Sequence, residues 1–297
     1  MVTYNKQEYL SFYGLERWGF IHNSEIITCH QHDIFIQTFL PEKNKGLVTI
    51  VHGYLDHSGA LTNIIHTLVS DGYGVITFDL PGHGHSKGDR GDINDFSEYV
   101  QVLHAVHSHI TQKGITHKRW SIMGHSTGAA IILTYMNEYT CTFEKVILVA
   151  PLIQPYLWSF SKFGVKLIGE KKFHLNRTFR KNSSDQEYLA LVKKDPLQFT
   201  KLPIRWLQSL ERWNNSLSEQ LSGSEKALFI IQGNKDTTVN WRYNLKFIFN
   251  KYPNSTCVLI DGGNHQLFNE TAIIRDITFT HIKRYLSAIG DNKDRRE

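Results

Sequence analysis

The sequence predicts an α/β fold, a mostly parallel central sheet flanked by helices and broken by one helical insertion. Three observations carry this reading. Short β-branched runs alternate with longer helical stretches through the first 150 residues, the pattern of strands feeding crossover helices. Several of those runs are apolar throughout rather than alternating, as in strands covered on both faces. The rhythm stops after Ala150-Pro151 and returns near residue 224, so a body made of 1–150 and 224–297 encloses an insertion at 151–223.

Taken in order, 25–29 and 34–40 read as an initial hairpin. Leu47–Val51 is a buried strand ending at His52-Gly53. The stretch 60–70 places Leu61, Ile64, Ile65 and Leu68 at helical spacing and stops at Asp71-Gly72. Gly74–Phe78 is the next strand and runs into the Gly-rich loop Asp79-Leu80-Pro81-Gly82-His83-Gly84-His85-Ser86. A helix over 94–113 closes at Gly114, and 120–123 and Val146–Val149 are two further buried strands.

Within the insertion no strand-like run is visible. Tyr156, Phe160, Phe163 and Leu167 form one apolar stripe, with Trp158 and Val165 on the opposite side and Lys162 and Lys166 between. Such a helix must touch two apolar things. A second helix is expected from Pro203, carrying Trp206, Leu210, Trp213 and Leu217. The sheet rhythm then resumes with a strand at 227–232, a helix at 241–250, the strand Thr256–Ile260 and a closing helix to about Ala288; 291–297 reads as a loose charged tail.

Composition narrows the class. A globular chain of 297 residues buries about 75% of its unfolded surface and needs no staples. Hydrophobic residues at 41%, charged residues at 21% and a mean hydropathy of −0.32 are ordinary for a globular protein, and no run approaches the ~18 apolar residues of a spanning helix. The first eight residues are polar and acidic, unlike a secretory apolar region, and three dispersed cysteines (Cys29, Cys141, Cys257) argue against a disulfide framework. A cytoplasmic protein is expected. The net charge of +5 is localised: 151–222 holds twelve Lys and Arg against six Asp and Glu, while the remainder is close to balance. That excess suits an anionic surface or substrate, or simply a solvated face.

The chemistry gathers at Gly124-His125-Ser126-Thr127-Gly128, a G-x-S-x-G run that follows a buried strand and opens a helix of small residues. Such a tight turn raises Ser126 from the sheet edge beside a helix N-terminus. A serine hydroxyl needs a base, and the base needs an orienting acid. Asp236 lies directly beyond one late strand and His265 beyond the next, in the chain order Ser, Asp, His. The plainer alternative makes Asp236 and His265 helix caps. Acyl transfer also requires donors to a developing oxyanion, and the backbone N–H groups of Thr127 and Tyr54 are the candidates. His83 and His85 lack a carboxylate or Cys partner at ligand spacing, so no metal is expected, and no cofactor. Asp79 and Arg90 read as braces for the loop around the site.

These segments, from His52-Gly53-Tyr54-Leu55-Asp56-His57-Ser58-Gly59 through the Asp79–Gly88 loop, Arg90-Gly91 and Asp95-Phe96 to the Ser126 turn, resemble the monoacylglycerol lipase/lysophospholipase family of α/β-hydrolases. The resemblance covers roughly 25–150 and 225–285. It implies the α/β-hydrolase fold, a serine carboxylic-ester hydrolase, and a helical lid or cap where this chain has 151–223. Two departures stand out: Thr127 replaces the Met of many members, and Ala129 follows the turn instead of Gly. Both alter the pocket floor.

The leading expectation is hydrolysis of a small lipid ester, lysophospholipid or monoacylglycerol, with Trp158, Phe160 and Phe163 lining the substrate channel and the basic lid touching anionic membrane. A broad carboxylesterase, thioesterase or serine aminopeptidase is the nearest rival, although a peptidase needs an acidic anchor for the substrate amine. A dehalogenase needs Asp where Ser126 stands. A non-catalytic binder on the same fold has no need for all three polar residues, and no nucleic-acid reader motif is present.

Overall fold

The computed structural model describes residues 4–16, 20–158, 174–176 and 182–288. Its centre is an eight-stranded sheet built from β1 (Phe20–Cys29), β2 (His32–Pro41), β3 (Leu47–Val51), β4 (Gly74–Phe78), β5 (Trp120–His125), β6 (Val146–Val149), β9 (Leu228–Gly233) and β10 (Thr256–Ile260). The strand order is β1-β2-β4-β3-β5-β6-β9-β10. β2 runs antiparallel to both β1 and β4; from β4 to β10 every pairing is parallel. The helices are α1 (Lys6–Phe12), α2 (Thr62–Ser70), α3 (Ser97–Gln112), α4 (Thr127–Glu138), α5 (Gln186–Lys194), α6 (Ile204–Gln220), α7 (Trp241–Lys251) and α8 (Ala272–Ser287).

The continuous apolar runs become central strands because they are covered twice. In β6, Val146 and Leu148 join the core on one side of the sheet while Ile147 and Val149 join the core on the other. On the first side lie α3, α4 and α6. Tyr99, Leu103, Val106 and Ile110 of α3 are buried at helical spacing, and so is every residue of α4 from Thr127 to Tyr135. The opposite side is covered by α1, α2 and α8.

The structure departs from the sequence reading in several places. The hairpin is longer than 25–40, pairing from Phe20↔Pro41 to Cys29↔His32. Its polar start, His22-Asn23-Ser24, is tolerated because β1 is an edge strand. The seven-residue α1 carries no visible period; it is held by Asn5, whose side chain accepts from Gln7 N and Glu8 N, and by burial of Tyr9 and Leu10. α3 starts at Ser97 rather than 94, where Asp95 accepts from Ser97 N (2.9 Å) while Glu98 accepts from Asp95 N (3.0 Å), a reciprocal cap.

The insertion is not purely helical. β7 (His174–Asn176) pairs antiparallel with β8 (Lys201–Pro203), three residues each, too short to leave an alternation in the sequence. Pro203 ends β8 with ψ 134, so the following helix starts one residue later than expected. Tyr156 sits in a turn rather than on a helix, because the Pro155↔Val239 bridge and a bond from Tyr156 N to Thr238 O tie that backbone to the 238–239 segment. Phe160, Phe163, Val165, Leu167, Lys162 and Lys166 fall outside the described residues, as does 291–297.

Within the insertion, α6 is packed against the body, whereas α5 buries none of its residues. Trp206, Leu210, Trp213 and Leu217 are all buried in the first core, as the stripe predicts. Trp213 donates to Thr134 Oγ1 (2.9 Å), and Arg205 pairs with Asp92 and Asp89. None of the described helices is long and apolar enough to cross a membrane.

Candidate active site

β5 delivers Ser126 to the carboxyl edge of the sheet. Its backbone lies at φ 54, ψ −114, a left-handed conformation that costs a non-Gly residue of order 1 kcal/mol or more. The turn is held by Ser126 N donating to Val149 O (2.9 Å) and by the tight seat of α4. A Cβ at Gly128 would strike the Val51 carbonyl, so only glycine lets the helix start this close to β3.

β9 and β10 end side by side and release Asp236 and His265. A Cβ at Gly233 would collide with the Gly263 carbonyl, so the two loops touch backbone to backbone. His265 Nδ1 lies 2.8 Å from Asp236 Oδ2, and Nε2 lies 2.9 Å from Ser126 Oγ. Asp236 is no helix cap; Asn240 caps α7. Asp236 Oδ1 accepts from Thr238 N (2.7 Å) and Val239 N (3.2 Å), and Oδ2 also accepts from Gln232 Nε2 (3.1 Å). Burial pushes the Asp236 carboxyl up, but His265 and these donors outweigh it and hold the pKa below the ordinary carboxylate value. An ionised Asp236 accepts a hydrogen bond from Nδ1–H and so keeps the proton on Nδ1. That leaves the Nε2 lone pair facing Ser126, which donates, and such an imidazole can take up a hydroxyl proton.

His125 braces this arrangement and is not evident as a site residue from sequence. Burial first, then the neighbouring His265, drives its pKa down to about 3, so it is neutral, and Nε2 donates to His265 O (3.0 Å).

Val51 of β3 faces Gly124 of β5 across the parallel ladder, so the loops beyond them leave the sheet together. A Cβ on Gly53 would sit 3.3 Å from Ser126 Cβ. Thr127 is the first residue of α4, where a helix leaves its N–H without an intrahelical acceptor. Tyr54 follows Gly53; its ring stacks on Trp206 of α6, and its hydroxyl donates to Gly91 O (2.6 Å). His52 fixes the loop from within, its Nδ1 donating to Gly53 O (2.7 Å) and its Nε2 accepting from Leu80 N (2.9 Å).

The braces expected from sequence are present. Buried Asp79 accepts from Ser58 N (2.7 Å), Ser58 Oγ (2.5 Å) and His85 N (2.8 Å), and Arg90 donates to Gly84 O and Leu197 O. His83 is buried with Nδ1 donating to Pro81 O (2.9 Å). Among the described residues no group of three or more His, Cys, Asp or Glu is placed to hold a metal ion. Trp158 is buried and donates to Asn214 Oδ1 (3.0 Å) of α6.

One pair was invisible in the sequence. His57 Nε2 donates to Asp195 Oδ2 (2.9 Å) across 138 residues, and Tyr13 adds its hydroxyl to Oδ1 (2.7 Å). Burial opposes both charges, but each partner outweighs it for the other: His57 is raised and Asp195 lowered. The raised His57 contributes stability below its unfolded pKa of about 6.5 and loses it as pH rises through the folded value. The lowered Asp195 contributes above about 3.9 and loses it as pH falls. His57→Ala strands a buried carboxylate and should cost about 3 kcal/mol in denaturant unfolding, the gap to wild type being widest between about pH 4 and 6.5. A cost below about 1 kcal/mol in that window contradicts the pairing.

Comparison with known proteins places this site in a family. Residues 42–272 match Hydrolase_4, described as serine aminopeptidase, S33. A monoacylglycerol lipase of Mycolicibacterium smegmatis is 27% identical over 207 residues, covering 66% of this chain and 71% of that protein. A monoglyceride lipase homolog of monkeypox virus is 24% identical over 257 residues, covering 82% of this chain and 89% of its own. Among solved structures, a soluble variant of monoglyceride lipase from Saccharomyces cerevisiae superposes with a TM-score of 0.77 at 19% identity, covering 90% of this chain and 94% of that one, a likeness of fold. The family match spans well over half of the chain. Together with the relatives named as lipases it makes the chain a member of the Hydrolase_4 (serine aminopeptidase, S33) family of α/β-hydrolases and a carboxylic-ester hydrolase.

Proposed function

We propose that the chain hydrolyses the acyl ester of single-chain lipids, monoacylglycerol or lysophospholipid, with Ser126, His265 and Asp236 as nucleophile, base and orienting acid. The observation that carries this is the unbroken alcohol–imidazole–carboxylate relay at 2.9 and 2.8 Å. Ser126 Oγ attacks the ester carbonyl as His265 Nε2 takes its proton, and Asp236 stabilises the imidazolium. The N–H groups of Tyr54 and Thr127 receive the oxyanion. The imidazolium then protonates the leaving alcohol, and an acyl-enzyme remains. Water, deprotonated by His265, attacks the acyl carbon; collapse frees Ser126 and the fatty acid.

Residues 151–223 act as the lid or cap in this reading, supported by Asp195 and Trp206, which bring the insertion against the loop carrying His57 and Tyr54. Its apolar members Trp158, Phe160 and Phe163 would meet the acyl chain, and its twelve Lys and Arg suit a peripheral contact with anionic lipid. A serine aminopeptidase is the second reading, favoured by the family description.

One panel separates these. Monoglycerides, lysophospholipids, short p-nitrophenyl esters and amino-acid anilides are offered, the lipids in neutral and in anionic vesicles. Free fatty acid from the long-chain lipids, faster on anionic vesicles and slowed by salt, is the expected result. Cleavage of anilides without lipid hydrolysis rejects the lipid reading, and equal rates on both vesicles reject the membrane contact.

A further inference from the structure

We propose that Trp206, on the insertion, is a positioning residue for the oxyanion donor at Tyr54. The inference rests on the Tyr54 N–H serving as that donor and adds what holds it in place. The Tyr54 and Trp206 rings stack with centroids 3.5 Å apart and planes at 12°, close to full face contact. The residue after Tyr54, Leu55, is a non-glycine in the left-handed region at φ 57. A strained peptide next to a site persists only where its surroundings over-determine it.

The surroundings here are specific. Tyr54 is gripped at its hydroxyl by Gly91 O (2.6 Å), edge-on by His83 (5.4 Å) and across its face by Trp206. Trp206 is itself immobilised: it is buried in the core, and its sequence neighbour Arg205 is tied to Asp92 (2.6 Å) and Asp89 (2.8 Å). Farther along α6, Trp213 is bonded to Thr134 of α4, the helix that starts directly after Ser126. The stack therefore registers the Tyr54 loop against the same body that carries the nucleophile. Loss of the flat ring frees the loop to relax its left-handed peptide and turn the donor away, without touching the ground-state contacts of the substrate.

The test uses the full chain and p-nitrophenyl butyrate, an ester too short to need the acyl channel. Trp206→Met keeps a flexible apolar side chain and removes the ring; Trp206→Phe keeps a stacking face. The expected result is a fall in kcat of about 10–100-fold for Trp206→Met with KM within about twofold, and near wild-type kcat for Trp206→Phe. Affinity for an acyl trifluoromethyl ketone, which forms the tetrahedral adduct on the serine, should fall by the same factor as kcat/KM, while affinity for a non-hydrolysable ether analogue stays put. Tyr54→Leu, removing the stack from its other partner, covers the case in which Trp206→Met fails to fold. Where both fold, the double variant should lose no more than the worse single one.

Unchanged kcat in Trp206→Met overturns the proposal, and so does a kcat loss with ketone affinity retained. A wild-type enzyme that does not hydrolyse the ester instead removes the reading beneath it.

Discussion

Ser126→Ala should lower ester turnover by about 10⁶-fold while leaving substrate affinity within a few-fold of wild type. The size follows from how the three side chains act. With no hydroxyl there is no acyl-enzyme, and His265 and Asp236 have nothing to activate except a water that the site does not position. What survives is the contribution of the oxyanion donors and of binding, about 10³–10⁴ over the uncatalysed rate. Little of the loss should come from misfolding. Ser126 holds its turn through backbone groups, N–H to Val149 and carbonyl to Ala129 N (3.0 Å), and alanine keeps both. Retention of more than a tenth of the activity in Ser126→Ala, with thermal stability unchanged, rejects the mechanism.

Asp236→Asn should cost about 10⁴ in kcat, through a tautomer rather than through geometry. Asp236 Oδ1 faces two backbone donors, Thr238 N and Val239 N, so the amide oxygen of Asn settles there. The amide nitrogen then faces Gln232 Nε2 and His265 Nδ1, both donors to the native carboxylate. The imidazole escapes this clash by moving its proton to Nε2, and a protonated Nε2 cannot accept from Ser126. Steady-state kcat on a short ester, with the folded state checked by thermal melting, is the measurement. A loss below about tenfold shows that Asp236 does not set the tautomer.

Local order made the core of the site legible in the sequence. Ser126 and Asp236 each follow a strand whose apolar run marks it as buried, His265 follows the next strand, and parallel strands end at one edge. Ser126, Asp236 and His265 could therefore be placed together without any pairwise information. The central strands and α2, α3 and α7 were readable for the same reason, since burial writes a period into nearby residues.

What escaped was whatever depends on remote partners. The His57–Asp195 pair joins a loop after β3 to the insertion, and nothing near either residue hints at the other. β7 and β8 are three residues each and are strands only because they meet. α1 is a helix because Asn5 caps it and Tyr9 and Leu10 are buried against the sheet, not because its own sequence is periodic. The stripe on α6 was predicted, but its use was not. Trp206, Leu210 and Trp213 are committed to the core and to the Tyr54 stack, which makes this part of the insertion a fixed wall beside the site. Trp158 is anchored to the same helix, its indole N–H donating to Asn214 Oδ1.

Rapid quenching of the enzyme with a long-chain monoacylglycerol, followed by peptide mass analysis, tests the account where it is most exposed. A mass increase of one acyl group on the peptide containing Ser126, formed and lost at rates compatible with turnover, is the result it requires. Fatty-acid release at full rate with the acyl group on another residue, or on none, would contradict it.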